Sequence, residues 1–362
     1  MIVFDNVTKA FPDGTTAVDQ LSLVVPNGKL TVFVGSSGSG KTTALRMVNR
    51  MIEPTSGTIT VDGVDVSTLD PVRLRLGIGY VIQHAGLMPH LRVIDNVATV
   101  PVLKGQSRRA ARTAAYEVLE RVGLDTKLAT RYPAQLSGGE QQRVGVARAL
   151  AADPPIMLMD EPFSAVDPVV RVELQNEILR LQSELHKTIV FVTHDIDEAL
   201  KLADQVAVFR SGSLQQYGEP AEVLSRPAND FVARFIGLGR GYRWLQLIDA
   251  AGLPRHDVTR VPADDLPDAL PGGWAVVVDA AGMPIGWIDT DGLRRHRGGA
   301  PLSDSMSGIG SLFRPGGNLS HALDAALSSP SGVGVAVDDG GRVIGGVLAG
   351  DVLAAVEAQR RG

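Results

Sequence analysis

Short apolar runs alternate with longer amphipathic stretches over the first two thirds of the chain. Val3-Phe4 and Leu21-Ser22-Leu23-Val24-Val25 read as strands. Leu30-Thr31-Val32-Phe33-Val34 is a compact apolar run that stops at a glycine-rich loop, and Thr42 to Ile52 beyond the loop reads as a helix. A buried strand feeding a helix through such a loop is the start of an α/β nucleotide-binding core. A further strand is expected at Gly79-Tyr80-Val81-Ile82. From Leu87 to Ala152 the pattern is mostly helical: Arg108 to Val122 carries apolar residues at helical spacing, and Glu140 to Leu150 is another helix. Strands resume at Ile156-Met157-Leu158-Met159 and Thr188-Ile189-Val190-Phe191-Val192. The economical reading is one sheet interrupted by a helical insertion of about residues 87–152.

The pattern changes near Gly239. No lysine follows Lys201, and glycine, aspartate and alanine become dense. Gly237-Leu238-Gly239-Arg240-Gly241 reads as a linker, which divides the chain into residues 1–238 and 239–362. The tail holds an internal repeat. Trp274 to Asp279, Ala281-Gly282 and Pro284 to Ile288 recur about 59 residues later as Val333 to Asp338, Gly340-Gly341 and Val343 to Val347. Each copy, at about 255–297 and 303–359, reads as strand, Asp/Gly turn, strand and helix. The last helix is expected over Asp351 to Gln359, and Asn318 is expected to cap another that ends near Leu327.

Length and charge narrow the function classes. A chain of 362 residues exceeds one typical core and predicts two or three domains. The formal net charge of −5 gives no bulk attraction to nucleic acid, so no nucleic-acid partner is expected. The absence of cysteine excludes disulfides, thiol catalysis and Cys-ligated zinc. The N-terminus, Met1-Ile2-Val3-Phe4-Asp5, reads as a first strand and not as a signal peptide. No apolar run reaches the roughly 18–20 residues that span a bilayer.

The chemistry lies in four places. Gly35-Ser36-Ser37-Gly38-Ser39-Gly40-Lys41-Thr42-Thr43 contains the phosphate-loop pattern G-x-x-x-x-G-K-[ST]. Its glycines let backbone amides wrap an anion, and the following helix presents its positive end. Lys41 is expected on the β- and γ-phosphates of ATP and Thr42 on Mg²⁺. Asp160-Glu161 follows an apolar strand, which delivers two carboxylates to the same sheet edge. Asp160 suits Mg²⁺, and Glu161 suits a general base acting on water. His194 ends the next strand, within reach of the γ-phosphate. Taken alone, a histidine at a strand end such as His194 is more often structural than functional, and Gln83 is likewise unremarkable. Finally, Ser137, Gly138 and Gly139, followed by Glu140 and Gln141, open a helix and form a second anion site. A single chain already has its phosphate loop, so the surplus site implies a dimer in which this helix start caps the partner's γ-phosphate.

Together these residues resemble the ATP-binding subunits of ABC transporters over about residues 1–238. Walker A at Gly35–Thr43, the Q-loop at Gln83 and the signature Leu136–Gln141 come in the family's order. Walker B at Ile156–Asp160, Glu161, the D-loop Ser164-Ala165-Val166-Asp167 and the H-loop His194 follow. The resemblance implies an α/β P-loop NTPase domain with a helical subdomain, Glu161, His194, Lys41 and Gln83 as catalytic groups, and Mg²⁺ held by Thr42, Gln83 and Asp160. Phe11 stands where an adenine-stacking aromatic is common, and Val166 replaces a common leucine. Arg50 to Gly57, Gly79 to His90 and Arg226 to Val232 resemble the importers of glycine betaine, choline, carnitine and related osmoprotectants. The tail is similar to a smaller α+β tandem CBS domain. Its first copy departs from that pattern: Pro267 and Pro271 interrupt the expected helix, and Asp289 stands where an adenosine-binding threonine is common. Leu348 and Ala349 occupy that region of the second copy. The family implies a head-to-tail pair of copies, transmembrane permease subunits and, indirectly, an extracytoplasmic solute-binding protein. It places the subunit peripherally on the cytoplasmic face of the inner membrane. A nucleotide messenger is a candidate ligand of the tail, with an ionic-strength response or simple dimerisation as alternatives. The competing functions are a motor for another solute, such as an amino acid, and a soluble ABC ATPase outside transport. The chain has one cassette and no long coiled coil, which counts against the second.

Overall fold

The computed structural model describes all residues except His84, Ala165, Leu238 and Gly362, and omits the side chains of Arg240, Arg360 and Arg361. His84, Ala165 and Leu238, which belong to the Q-loop segment, the D-loop and the linker named above, therefore lie outside the described residues. The chain divides into two compact units, Met1–Leu238 and Gly239–Gly362.

The first unit begins with β1 (Ile2–Ala10), β2 (Thr16–Val25), β3 (Leu30–Gly35), α1 (Lys41–Val48), β4 (Ser56–Val61), β5 (Val64–Asp65), α2 (Pro71–Leu76) and β6 (Ile78–Val81). The helices α3 (Val93–Leu103), α4 (Arg108–Arg121) and α5 (Gly138–Leu150) follow. The unit closes with β7 (Ile156–Asp160), α6 (Pro168–Leu185), β8 (Thr188–Thr193), α7 (Ile196–Leu202), β9 (Gln205–Arg210), β10 (Ser213–Gly218), α8 (Pro220–Ser225) and α9 (Asp230–Ile236). The six-stranded sheet has the order β10-β9-β3-β8-β7-β6, and all its pairs are parallel except β10 with β9. Parallel strands are covered on both faces, which is why β3, β7 and β8 are buried along their whole length and read as apolar runs. An antiparallel sheet, β2-β1-β4-β5, stands apart. Phe4 from it meets Phe33 edge-on at 6.2 Å, and Phe33 packs on Phe209 at 5.1 Å, within one core that includes Leu45 and Met47 of α1.

Register aligns the chemistry. Val34 pairs with Thr193, Asp160 with Val192 and Val81 with Met159. The loops after β3, β6, β7 and β8 therefore leave one edge of the sheet together.

Two local expectations change. The helix expected over Thr42 to Ile52 ends at Val48. Arg50 takes a left-handed φ of 54°, and Arg75 Nε donates to the freed carbonyl of Asn49 at 3.1 Å. The first two strands are also longer than their apolar blocks, because hairpin pairing extends them through polar positions.

The second unit opens with α10 (Arg240–Leu247), which starts inside the segment read as a linker. Its Leu245 joins Leu319, Ala322 and Ala325 in a core, so burial of an apolar face overrides the local glycines. Then come β11 (Arg260–Pro262), β12 (Trp274–Val278), β13 (Pro284–Asp289), α11 (Thr290–Arg297), α12 (Leu302–Ser305), β14 (Leu312–Phe313), α13 (Leu319–Ser328), β15 (Val333–Val337), β16 (Val343–Leu348) and α14 (Ala349–Arg361). The sheets β11-β12-β13 and β14-β15-β16 share one order, with a parallel pair and then an antiparallel pair. Trp274 pairs with Asp289 and Val333 with Leu348, and each hairpin shifts register before its last pair. Asn318 caps α13 by accepting the His321 amide. No helix occupies residues 263–273 of the first copy, where Pro267 and Pro271 fall. Asp289 caps α11 through the Gly292 amide at 2.6 Å, a turn role that its short carboxylate suits.

Candidate functional site

At the carboxyl edge of the parallel sheet lies a cleft of about 420 Å³, lined by the loop and first turn Ser37 to Thr43 together with Ala17, Arg46, Gln83, Asp160 and Glu161. That volume suits a nucleotide-sized ligand. The loop is held by backbone geometry. Gly40 has φ 98°, and a Cβ there would sit 2.1 Å from the Ala17 carbonyl oxygen. Gly35 is pressed against Phe209, whose carbonyl oxygen would lie 2.3 Å from an added Cβ. Ser39 and Gly212 close the turn, with the Gly212 amide donating to the Ser39 carbonyl at 3.1 Å. Gly40→Ala is accordingly expected to cost about 2 kcal/mol of stability or more. It should also abolish nucleotide binding; denaturant unfolding and nucleotide titration read the two effects.

Lys41 opens α1 and is 4% exposed. Its Nζ donates to the carbonyls of Gly35 at 2.8 Å and Ser36 at 2.9 Å, and to Ser39 Oγ at 3.3 Å. Burial pushes the ammonium below its ordinary value, while Glu161 and Asp160 pull it the other way. A buried cation satisfied only by neutral oxygens, at the mouth of an anion-shaped loop, is poised to exchange them for phosphate. Thr42 Oγ1 donates to Asp160 Oδ1 at 2.7 Å, and Arg46 lies 3.5 Å from the other carboxylate oxygen.

These two oxygens fit Mg²⁺. The ion takes hard oxygen ligands and needs only one or two from protein when phosphates and waters supply the rest. Among the described residues there is no cluster of three His, Cys, Asp or Glu side chains that would instead cage a metal.

Glu161 follows at the end of β7 with φ 44°, a left-handed backbone for a side chain that gains nothing from it locally. The carboxylate meets two other groups: His194 Nδ1 lies 3.2 Å from Glu161 Oε2, and Gln83 Nε2 donates to the same oxygen at 3.4 Å. Loops after three strands thus bring Gln83, Glu161 and His194 together beside the phosphate loop. The strained backbone at the junction marks a position fixed by its surroundings.

The structure does not bring every candidate into this cleft. Phe11 heads the β1–β2 turn, with Lys9 Nζ 5.2 Å over its ring, and Ala17 lines the cleft on that side. Ser137, Gly138, Gly139 and Gln141 begin α5 and are not among the lining residues. Ser137 Oγ accepts the Glu140 amide, and Glu140 returns a bond to the Ser137 amide at 2.7 Å. Gln141 Nε2 donates to the Leu136 carbonyl. Ser137 and Gly138 are exposed, whereas a Cβ on Gly139 would strike Val170 at 2.5 Å. Through the exposed Ser137 and Gly138 the positive end of the helix thus faces outward, away from the cleft of its own chain.

Two lining residues escaped the sequence reading. Arg46 follows Thr42 by four positions on α1, so helical spacing alone places both on one face. Ala17 carries no chemical signal; its carbonyl oxygen lies against Gly40.

Residues 18–164 match the family described as ABC transporter. The osmoprotectant import ATP-binding protein OsmV of Salmonella typhimurium is 43% identical over 313 residues, covering 82% of this chain and 81% of that protein. The choline transport ATP-binding protein OpuBA of Bacillus subtilis is 48% identical over 240 residues, and the chain spans only 63% of its length. Among solved structures, the dimeric MJ0796, a bacterial ABC transporter cassette, is 33% identical with a TM-score of 0.57, covering 61% of this chain and 99% of that one. A dimeric post-hydrolysis state of the same cassette, bound to ADP and Pi, matches equally, with a TM-score of 0.57.

Proposed function

The chain belongs to the ABC transporter family of ATP-binding proteins, and on that footing we propose that it is the ATP-hydrolysing subunit of an importer for quaternary-amine osmoprotectants of the glycine betaine, choline, carnitine or proline type. One observation carries the choice of solute class. The match to the osmoprotectant import protein covers 82% of this chain, more than the first unit can supply, so the likeness reaches into the second unit.

In this reading the loop amides and Lys41 hold the β- and γ-phosphates, and Phe11 stacks on the adenine. Thr42 and Asp160, with Gln83, would hold Mg²⁺. Bound there, the ion would supply neutralisation of phosphate charge. Lys41 leaves the carbonyls of Gly35 and Ser36 for phosphate oxygens, which are stronger acceptors for a buried cation. Glu161 takes the proton of the attacking water, and His194, 3.2 Å from that carboxylate, contacts the γ-phosphate. In a head-to-tail dimer Ser137, Gly138, Gly139 and Gln141 of a second copy close over that phosphate, a reading supported by the exposure of Ser137 and Gly138 outside the cleft of their own chain. Among the described residues no helix is long and apolar enough to cross a membrane. In this reading the subunit works at the cytoplasmic face through permease subunits, with a solute-binding protein on the other side. The second unit is a tandem CBS-like regulatory module, and its paired three-stranded sheets support that assignment.

Deletion of the gene is expected to abolish high-affinity uptake of radiolabelled glycine betaine, choline or carnitine under osmotic stress, and the intact gene to restore it. Unchanged uptake of all these solutes would overturn the solute class while leaving the ATPase reading in place.

A further inference from the structure

Behind the hydrolytic groups lies a buried polar network that the proposed function does not use. Glu198, on α7, is 7% exposed. One of its carboxylate oxygens accepts the Thr193 hydroxyl at 2.7 Å, and Thr193 Oγ1 in turn accepts the Asp195 amide at 3.0 Å. These bonds grip both neighbours of His194. The other oxygen accepts Gln175 Nε2 at 3.4 Å and faces the buried Arg171 Nε at 3.9 Å. Gln175 is itself anchored, because Lys201 Nζ donates to its Oε1 at 2.9 Å. Arg171 reaches the other way, donating to the Val166 carbonyl at 3.2 Å, and Val166 belongs to the loop that leaves Glu161. That loop is short and self-bonded: the Ser164 hydroxyl donates to the Glu161 carbonyl at 3.1 Å, and the Val166 amide to Phe163 at 3.2 Å. Glu161, His194 and Glu198 border one polar cavity of about 50 Å³, room for a water molecule.

A buried carboxylate is costly unless it is paired and hydrogen-bonded. Burial pushes the Glu198 carboxyl above its ordinary value, and the Thr193, Arg171 and Gln175 contacts oppose that shift. An apolar residue would fill this position without that cost. What the carboxylate adds is a connection: it is tied to the loop carrying His194 through Thr193, and to the loop carrying Glu161 through Arg171.

We propose that Glu198 is a positioning residue for hydrolysis, setting the distance between Glu161 and His194 by bracing from behind the two loops that carry them. The inference rests on the reading of Glu161 and His194 as the hydrolytic groups. Movement of the Val166 loop is then passed to His194 through Arg171 and Glu198 and not through the nucleotide.

The test is steady-state ATP hydrolysis by the full chain carrying Glu198→Gln, Arg171→Gln or both. The isosteric amide keeps an acceptor for Thr193 and loses the charge that faces Arg171. Each single variant is expected to lower kcat by about tenfold while KM for ATP stays within about twofold, because misplaced reacting groups slow the chemical step without weakening binding. The double variant should be no slower than the slower single variant, since both break one connection. If Glu198→Gln fails to fold, Arg171→Gln decides alone, its side chain being 32% exposed. A kcat within twofold of the parent overturns the proposal, and so do losses that multiply in the double variant. Glu161→Gln is run in parallel. Unchanged turnover in that variant would remove the reading of the site, and the inference with it.

Discussion

Glu161→Gln is expected to leave ATP binding within about twofold of the parent and to lower phosphate release by about 100- to 10,000-fold, the range that a positioned general base supplies. The substitution is close to isosteric. Its amide can keep a polar contact to Gln83 Nε2 and to His194 Nδ1, which lie 3.4 and 3.2 Å from the native carboxylate oxygen. It makes no hydrogen bond to Lys41, Thr42 or the loop glycines, and Asp160 remains to favour the Lys41 cation, so the groups expected to bind phosphate stay where they are. What it loses is a basic oxygen that can take a proton from water. Binding and turnover should therefore separate cleanly, and ATP should accumulate uncleaved on the protein. Rapid-quench phosphate release and equilibrium binding of a fluorescent ATP analogue measure the two quantities. Near-normal phosphate release would remove Glu161 from its role and leave His194 as the remaining titratable group in contact with the carboxylate site.

The parts of this molecule that a sequence reader can find are those whose signal is local. The glycine loop with its lysine and threonine, the paired Asp160 and Glu161 after a buried strand, and the serine that opens α5 are each legible within a few residues. Parallel strands announce themselves because both of their faces are buried, as in Leu30–Gly35 and Thr188–Thr193. What stays hidden depends on partners distant in sequence. Ala17 lines the cleft, and its carbonyl oxygen lies where a Cβ on Gly40 would have to go. Glu198 reads as one more polar residue of a short helix, and only the fold surrounds it with Thr193, Gln175 and Arg171. Alpha-helix α10 was hidden for the opposite reason. Its flanking glycines look like a linker, while the residues that bury it lie about 70 positions downstream, at Leu319 and Ala322. Gln83 and His194 fall between these cases: neither is distinctive alone, and their convergence on one oxygen of Glu161 is what gives them meaning.

Ser137→Arg is expected to leave ATP binding to a single copy unchanged, yet to abolish ATP-dependent dimerisation and with it turnover. The separation follows from where Ser137 sits. It caps α5, it is exposed, and it does not line the cleft of its own chain. Nothing that holds a nucleotide in that cleft is therefore disturbed. The substitution does remove the cap, a loss of about 1 kcal/mol that local unfolding must absorb. It also adds a long cation at the positive end of a helix, which is unfavourable on its own. Ser137→Ala isolates the first of these effects, and Ser137→Thr restores the hydroxyl at modest bulk. If the helix start seats on the γ-phosphate of a second copy, dimerisation should fall only slightly with alanine, stay near normal with threonine and vanish with arginine. The Glu161→Gln background makes the measurement direct, because uncleaved ATP holds the pair closed during light scattering. A dimer of unchanged stability in the arginine variant would mean that the start of α5 faces solvent throughout the cycle, and each phosphate loop would then have to complete its own site.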